Sequence, residues 1–262
     1  MIQTELKKLL RNKLVYISIF IGCISCLSGL ISYGNDVYIY RQVGRNELIS
    51  AYQCWLDCLA MGSSVYRLML PILIIPGIDN YYIERNSGYQ NFVVTRAKRS
   101  KYFFLKWGVG LLSVILIVGA VLSITLCVCF ILYPGNAPLE ENTYINYRGL
   151  KDFFIEQPVQ FVVALIAMNI LVSIIYYTFG LGISCYVKNR YEVVFAPMAA
   201  YFACMFISQI FNVSAISPIA LVAPFELTGL NASAVAIAAA VELVIALVFL
   251  LNCFWKDVTE IA

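Results

Sequence analysis

Apolar stretches of about 20 residues alternate with shorter polar segments along most of this chain. About 20 helical residues cross the roughly 30 Å hydrocarbon core of a bilayer. The pattern therefore predicts an all-α integral membrane protein that forms one transmembrane domain over residues 1–262. Six spans are predicted, over residues 14–32, 59–78, 107–133, 158–187, 193–210 and 232–254.

Residues 1–13 precede the first span with a different pattern, in which apolar and basic side chains fall on different faces of a helix. The apolar face carries Ile2, Leu6, Leu9 and Leu10. This division predicts a short amphipathic helix that lies in the membrane interface. A signal peptide is the alternative interpretation, but the apolar run that follows is long for one and no small-residue cleavage site comes after it. We therefore expect a retained first span.

Residues 33–58 are polar and aromatic, and they predict a loop whose second half is helical. We expect the rings of Tyr52 and Trp55 at the boundary between membrane and water. Pro71 and Pro76 interrupt the second span. Because proline removes a backbone donor and clashes with the preceding turn, a kink is predicted there.

The connections between the later spans differ in length. Residues 134–157 predict a long polar loop, whereas residues 188–192 are so few that spans 4 and 5 should be antiparallel neighbours. Residues 211–231 are fairly apolar, contain no Lys or Arg and are broken by two prolines and a glycine. Irregular backbone at membrane depth is tolerated only against protein or a water-filled cavity, so two short re-entrant helices are expected here.

Charged residues are few, and their distribution predicts the orientation. They make up 13% of the chain against 61% hydrophobic residues, and the formal net charge of +3 does not indicate a nucleic-acid partner. Lys and Arg concentrate at the N-terminus, in residues 79–106 and after spans 4 and 6, so by the positive-inside rule both termini are cytoplasmic. The chain has no histidine, which excludes His-based triads, His metal ligands and His proton relays within it.

Nine cysteines are spread along the chain, most of them inside apolar runs. Cys23 and Cys26 form a CxxC pair, but no second pair follows at the spacing of a zinc site, so no metal site is predicted. Cys54 and Cys58 lie four residues apart near a membrane surface, and a strained disulfide between them is one alternative. We interpret the others as small buried thiols that pack between helices. These include Cys127, Cys129, Cys185, Cys204 and Cys253.

Two ionisable residues lie deep within predicted spans, Arg67 in span 2 and Glu242 in span 6. Each is about eight to ten residues from the outer end of its span, or about 12 to 15 Å at the helical rise. A charge at that depth is costly, so a mutual ion pair or a water-filled cavity is expected. The pair would either fix how two helices pack or line a substrate path.

Enzyme signatures are missing from the sequence, which contains no phosphate-binding loop, no GxSxG or HExxH motif and no paired intramembrane carboxylates. We therefore expect a non-catalytic protein. Gly180 and Gly182 form a weak small-residue pattern, whose expected use is close helix packing.

The largest polar island of the sequence lies at residues 79–106, between spans 2 and 3. Its distinctive residues, together with one proline of span 2, are Pro71, Asp79-Asn80-Tyr81, Glu84, Ser87-Gly88-Tyr89, Arg96, Lys101-Tyr102 and Lys106. This pattern resembles the segment between spans 2 and 3 in the permeases of type-2 ABC exporters, especially the compact Gram-positive ones. The layout of nearly the whole chain is similar to theirs.

The resemblance implies a coupling helix at about residues 79–92 that sits in a cleft of a separate ATPase subunit. Aromatic anchors and charges would contact that partner, and Gly88 would let the backbone turn or approach closely. The residues assigned to this coupling are Tyr81, Tyr82, Glu84, Arg85, Gly88, Tyr89 and Phe92. A basic tail beyond them is expected to set topology and contact anionic lipid heads. It consists of Arg96, Lys98, Arg99, Lys101 and Lys106.

The function implied by the resemblance is that of a transmembrane subunit of an ATP-driven exporter in a bacterial cytoplasmic membrane. Its partners would be two cytoplasmic ABC ATPase subunits, which bind ATP and Mg²⁺, and a second permease copy or a related permease. The apolar spans favour an amphipathic or hydrophobic cargo, such as a peptide antibiotic or a lipid-like molecule. The alternative is a non-transporting membrane anchor, or an immunity or sensor protein that recruits a cytoplasmic partner. An ion-driven transporter ranks last, because no internal repeats are visible.

Overall fold

The structure is a computed structural model that describes residues 2–60, 62–88, 99–139, 143, 145, 148–187, 189–211, 213, 217–226 and 232–259. Within these residues the secondary structure is helical and contains no strand, so the all-α prediction is confirmed. The helices are α1 (Ile2–Arg11), α2 (Lys13–Leu27), α3 (Gly29–Gln42), α4 (Ala51–Asp57), α5 (Tyr66–Leu73), α6 (Ile75–Asn86), α7 (Arg99–Leu132), α8 (Arg148–Glu156), α9 (Pro158–Ile183), α10 (Arg190–Ile210), α11 (Pro218–Val222) and α12 (Ala232–Thr259). Short 3₁₀ turns occur at Asn46–Leu48 and Pro224–Glu226.

Among the described residues, five helical stretches are long and apolar enough to cross a membrane. They are Lys13–Gln42, Ser100–Leu132, Pro158–Ile183, Arg190–Ile210 and Val235–Lys256. These stretches support a multi-pass membrane protein. The predicted span at residues 59–78 is not one of them, because its residues are divided between α5 and α6.

The second predicted span is interrupted at Ile74, between the end of α5 and the start of α6. Pro71 lies inside α5, and Pro76 lies in the first turn of α6. Since Pro76 has no backbone N–H, it cannot donate to the carbonyl of Ile72, and the helical ladder stops there. The interruption lies where the two prolines predict a kink.

Side chains satisfy the carbonyl groups just beyond α4, in the interior of the bundle. The Cys58 carbonyl accepts hydrogen bonds from Ser64 Oγ at 2.6 Å and from Cys26 Sγ at 3.4 Å. The Leu59 carbonyl accepts a hydrogen bond from Arg67 Nε. A helix end leaves its last carbonyls without intrahelical partners, and burial makes such groups costly. These side chains therefore allow the backbone to leave one helix and begin another inside the protein.

The loop predicted over residues 33–58 is wrong in its first part, because α3 continues the first span to Gln42. Tyr33 and Val37 are four residues apart on α3 and are buried on the side that packs against α4. The Tyr33 hydroxyl donates to the Ser50 carbonyl at 3.0 Å and accepts from the Ser50 N–H at 2.9 Å. One buried stripe is thus enough to stabilise a helix whose exposed residues include Asn35 and Arg41.

The Trp55 side chain is fully buried, so its ring does not face lipid head groups or water, and its depth relative to a membrane stays a prediction. α4 packs against α7, and Trp55 Nε1 donates a hydrogen bond to the Leu122 carbonyl at 3.2 Å. An indole needs one acceptor when it is buried, and α7 provides it. Tyr52 remains partly exposed and meets the Phe130 ring edge-on at 5.0 Å.

Two later connections also contain helices. α8 lies inside the loop predicted over residues 134–157, where Phe154 packs on Phe161 of α9 with 5.0 Å between ring centres. The broken segment at residues 211–231 contains α11 and the second 3₁₀ turn. α11 is buried and packs against α9 and α10. Whether this segment re-enters a membrane stays a prediction.

The predicted N-terminal helix is present as α1, and it packs against α7. Leu9 on its apolar face is buried. Asn12 separates α1 from α2, and its side chain accepts a hydrogen bond from the Leu14 N–H at 3.0 Å, which caps α2. The position of α1 at a membrane surface stays a prediction.

α9 is the central helix of the bundle, with α7, α10 and α12 packed around it. Near its end it approaches α12 so closely that a β-carbon on Gly182 would lie 2.7 Å from the carbonyl carbon of Phe249. The same two helices are joined just beyond by a disulfide between Cys185 and Cys253. The prediction that these two cysteines are separate packing thiols is therefore wrong. Their separation of 68 residues gives no local signal for the bond.

Gly182→Ala is expected to destabilise the protein by about 1–3 kcal/mol, because the added methyl group must push the backbone of α12 away from α9. The measurement is the midpoint of thermal unfolding of the purified protein in detergent. Gly34→Ala in α3 is the matched control, since a β-carbon at Gly34 meets nothing within 4 Å. Equal midpoints for the two variants would contradict the close approach at Gly182.

Candidate functional site

α6 carries most of the residues that the sequence assigns to coupling, and it connects the helices at one end of the bundle. We call this end the α1 end, because it also contains α1, the last turn of α6 and the first turn of α10. α6 packs against α7, α9 and α10 there. Its polar side chains form two separate groups of charge contacts.

The first group is a compact set of four charged side chains and a tyrosine, called the Glu84 cluster below. Lys106 Nζ lies 2.6 Å from Glu84 Oε2 and also contacts Glu5. Lys8 Nζ lies 3.2 Å from Glu84 and 3.3 Å from Glu5. The Tyr102 hydroxyl donates to Glu84 Oε2 at 2.6 Å. Two carboxylates and two ammonium groups balance in charge, and together they join α1, α6 and α7.

Opposing effects act on the ionisation of this cluster. Burial alone would raise the pKa of Glu84, but the hydrogen bonds and charges of Lys106, Tyr102 and Lys8 outweigh burial and hold that pKa below its ordinary 4.5. Burial likewise favours a lower pKa for Lys8, but Glu84 and Glu5 together raise it above 10.5. Both groups are therefore charged at neutral pH.

The second group ties another face of α6 to α9 and α10. Arg190 Nε lies 2.6 Å from one oxygen of Asp79, and Nη2 lies 2.7 Å from the other oxygen. This two-pronged geometry is among the stronger charge-assisted contacts, and the Asp79 side chain is only 3% exposed. Arg85 Nη1 also donates to the Ser184 carbonyl, just after α9, at 3.1 Å. α6 is therefore attached to helices on two sides.

The structure places the predicted coupling residues in different surroundings. Tyr81 and Tyr82 are 2% and 6% exposed, and Glu84 is engaged in its cluster, so these side chains face the interior of the chain. Gly88 adopts a φ of +72°, the left-handed conformation that commonly follows a helix end, and it marks the end of α6. Tyr89 and Phe92 lie outside the described residues.

An open hollow of about 520 Å³ lies beside the end of α6, next to the start of α10. Ile83 and Tyr191 are 43% and 78% exposed at this hollow. Its lining residues are Tyr82, Ile83, Asn86, Ser87, Asn189, Arg190 and Tyr191. Exposed tyrosine and aliphatic side chains beside polar groups are typical of surfaces that bind another protein. Sequence reasoning missed Tyr191, because its segment indicates only a tight turn.

The residues expected at lipid head groups are only partly described. Arg96 and Lys98 lie outside the described residues, and Arg99 begins α7. Lys101 is exposed in the first turn of α7. The expectation of lipid contact is wrong for Lys106, which is buried on the face of α7 toward α1 and α6, where two carboxylates compensate its charge.

Arg67 is buried, at 1% exposure, as its position in the sequence predicts. Besides its hydrogen bond to the Leu59 carbonyl, its guanidinium lies 5.8 Å from the centre of the Phe225 ring, within cation–π range. The Arg67 carbonyl accepts a hydrogen bond from the Tyr201 hydroxyl at 2.9 Å. Arg67 therefore connects α5 to α10 and to the segment after α11.

Both carboxylate oxygens of Glu242 are buried and have no hydrogen-bond partner among the described residues. Glu242 acts electrostatically on Tyr176, Tyr201 and Cys204, which places it beside α9 and α10. Arg67 and Glu242 thus both approach Tyr201, but no hydrogen bond joins them. A hydrogen bond between the two side chains is therefore absent, since Arg67 turns toward the backbone beyond α4. The other alternative, a water-filled cavity beside Glu242, stays a prediction.

A groove of about 530 Å³ lies between α9 and α12, beside α8. Its lining is apolar throughout, with aromatic and long aliphatic side chains from α8 and α9 opposite small residues of α12. Its lining residues include Phe161, Leu165, Met168, Val235, Ala239 and Leu243. The alanines of α12 leave the space that larger side chains would fill.

No family model, curated protein or solved structure is significantly similar to this chain. The resemblance to type-2 ABC permeases therefore rests on the residues quoted above and not on an overall match.

Sequence reasoning missed the partners of Asp79 and Glu84. Asp79 and its partner Arg190 are 111 residues apart, and Glu84 and its partner Lys8 are 76 residues apart. The available signal is that an acidic residue at the margin of an apolar span requires compensation. That signal indicates that a cation must be near, but it does not say which one.

Glu84→Gln is expected to reduce stability at neutral pH by at least about 1.5 kcal/mol, because it removes the charge from three hydrogen-bonded contacts. Since folding lowers the pKa of Glu84, its contribution is present above pH 4.5 and is lost as pH falls through the folded value. The measurement is the difference in thermal midpoint between wild type and variant across pH. A difference that stays constant down to the acid limit would contradict the role of the Glu84 charge.

Arg190→Ala is expected to cost about 1–3 kcal/mol of stability, because it removes two charge-assisted hydrogen bonds from a buried carboxylate. Asp79→Ala combined with Arg190→Ala should cost less than the sum of the two single changes. The measurement is thermal unfolding of the three variants in one detergent. Additive losses would show that the two side chains are not coupled.

Proposed function

We propose that this chain is the transmembrane subunit of an ATP-driven exporter of the type-2 ABC kind, with its α1 end in the cytoplasm. The observation that carries the proposal is the placement of α6. This helix begins at the proline break inside the bundle, is tied by charge contacts to α1, α7, α9 and α10, and ends beside an exposed hollow. A partner bound at the hollow would be next to a helix that is tied to four others, α1, α7, α9 and α10.

In this proposal an ATPase subunit binds the hollow and the residues that follow Gly88. The contact residues that the structure supports differ from those that the sequence assigns. Ile83 and Tyr191 are exposed there, whereas Tyr81 and Glu84 face inward. The inward-facing residues then transmit movement, because their contacts make α6 move together with α1 and α7.

In this proposal, movement of α6 is transmitted to the other helices through two sets of contacts. The Glu84 cluster and the Asp79–Arg190 pair would carry α1, α7 and α10 with it as one body. The break at Ile74 gives α5 a different direction of movement, and Arg67 of α5 is joined to Tyr201 of α10. Rigid bodies that meet at such a break are suited to a switch between two packings, as alternating access requires.

The cargo class is supported by the groove between α9 and α12. Its volume of about 530 Å³ and its apolar lining suit an acyl chain or an aliphatic side chain better than a polar solute. An amphipathic peptide or a lipid-like molecule would place its apolar part there. A second permease copy would supply the rest of the path, and ATP and Mg²⁺ would bind in the ATPase subunits.

Orientation is the first part of the proposal to test. The Cys185–Cys253 disulfide lies at the α1 end. Because disulfides persist mainly in oxidising compartments, this bond counts against a cytoplasmic α1 end, and the orientation needs a direct test. Lys101 is exposed at the same end and can report the compartment. A membrane-impermeant amine reagent added to intact cells should leave Lys101 unmodified and should modify it only after the membrane is opened. Modification in intact cells would overturn the proposed orientation.

Tyr191→Ala and Ile83→Glu are expected to reduce co-purification of the proposed ATPase subunit by about tenfold or more, because they remove exposed anchors at the hollow. Cargo-stimulated ATP hydrolysis by the purified complex should fall in parallel. Tyr38→Ala is the matched control, since Tyr38 of α3 is similarly exposed, at 65%, outside the α1 end.

The outcomes separate the exporter from the membrane anchor. Binding of the ATPase without any cargo-stimulated hydrolysis would favour an anchor that only recruits a partner. Equal co-purification of all three variants would show that the hollow is not the docking site. If no ATPase accompanies the wild-type chain, the exporter proposal is wrong.

A further inference from the structure

Three cysteine side chains meet in the interior where α4 packs against α7. Cys54 lies in α4, Cys58 follows its last residue, and Cys129 lies in the last part of α7. All three are fully buried, and their sulfur atoms lie within 4.8 Å of one another. They remain thiols, whereas Cys185 and Cys253 form a disulfide.

The meeting of these sulfurs follows from how α4 is held. A spacing of four residues places Cys54 and Cys58 on one face of a helix, and that face lies toward α7. The Ala51 N–H donates to the Pro134 carbonyl at 2.9 Å, and Trp55 Nε1 donates to the Leu122 carbonyl. Bonds on both sides of Cys54 thus fix α4 along α7, and Cys129 lies between Leu122 and Pro134 in the chain.

The chemistry of the three donors is selective. Thiolates are soft ligands, which favour Cu(I) or Zn(II) over Mg²⁺ or Ca²⁺. Structural zinc sites are almost always four-coordinate. Within the described residues, no fourth Cys, Asp or Glu ligand atom joins this group. Three sulfurs without a fourth donor match a trigonal site for a soft monovalent cation.

We propose that Cys54, Cys58 and Cys129 form a binding site for Cu(I). The ion enters already reduced, so no electron is transferred. Each thiol that becomes a metal-bound thiolate releases its proton to solvent. The surrounding apolar residues keep water from the ion, and bound metal would clamp α4 to α7. This site is independent of the docking surface proposed above.

The test is a Cu(I) titration of the full-length protein in detergent, kept reduced, in competition with a Cu(I)-specific chelator of known affinity. Wild type is expected to take up a single equivalent at this site. Cys129→Ser should weaken binding by more than about a hundredfold, beyond the loss that follows removal of a group that only orients a ligand. Cys127→Ser is the matched control, because Cys127 is on the same helix but exposed, and its affinity should equal that of wild type.

A second readout distinguishes ligand loss from misfolding. Cu(I) should raise the thermal midpoint of wild type and of Cys127→Ser but not that of Cys129→Ser or Cys129→Ala. X-ray absorption of the wild-type complex should show copper in the cuprous state with three sulfur neighbours, a result that needs no variant.

Three results would overturn the proposal. The first is equal Cu(I) affinity of the Cys129→Ser and Cys127→Ser proteins. The second is tighter binding of Zn(II) than of Cu(I) by the wild-type protein. The third is a disulfide between any two of Cys54, Cys58 and Cys129, detected by mass spectrometry in protein whose thiols were blocked at cell lysis.

Discussion

A buried carbonyl without a hydrogen bond costs about 2–7 kcal/mol in an apolar interior, and the end of α4 presents such groups where the chain turns into α5. Arg67 satisfies the Leu59 carbonyl, while Ser64 and Cys26 satisfy that of Cys58. Without these donors, residues 58–65 would have to stay helical or reach solvent. Because the helix ends after α4, α4 can lie along α7 while α6 follows a different direction toward the α1 end. The candidate site therefore depends on hydrogen bonds made far from it.

The two groups of charge contacts on α6 differ in their surroundings. The Glu84 cluster contains two ions of each sign, of which Lys106, Glu5 and Glu84 are 6%, 9% and 15% exposed, whereas Lys8 is 47% exposed. The Asp79–Arg190 pair combines a buried carboxylate with an arginine that is 55% exposed. The buried contacts of Lys106 with Glu5 and Glu84 hold α1, α6 and α7 in a fixed relation, whereas a pair with a solvent-facing cation is easier to separate. The charge contact of α6 with α10 is therefore weaker than its contacts with α1 and α7.

Sequence reasoning could predict the long helices, because hydrophobic runs of spanning length are read directly from composition. It could also predict the break near Pro76 and the burial of Arg67. It failed where a side chain has several possible partners in the sequence and only the packing of the helices decides which one it contacts. Lys106 is one of several basic residues in its segment, and only the packing of α1 beside α7 shows that it faces Glu5. Similarly, the polar residues of α3 predict a loop, because the buried stripe at Tyr33 and Val37 appears only once α4 is in place.

α9 and α12 are held together at one end by the close approach at Gly182 and by the Cys185–Cys253 bond, and the apolar groove lies between them farther from that end. The joined end can serve as a pivot for the two helices. A small rotation about the joined end would widen or narrow the gap between Phe161 and Val235 while leaving the joint intact. Apolar ligands of different sizes would then be accommodated by a change in the angle between α9 and α12, and the side chains within each helix would not have to repack.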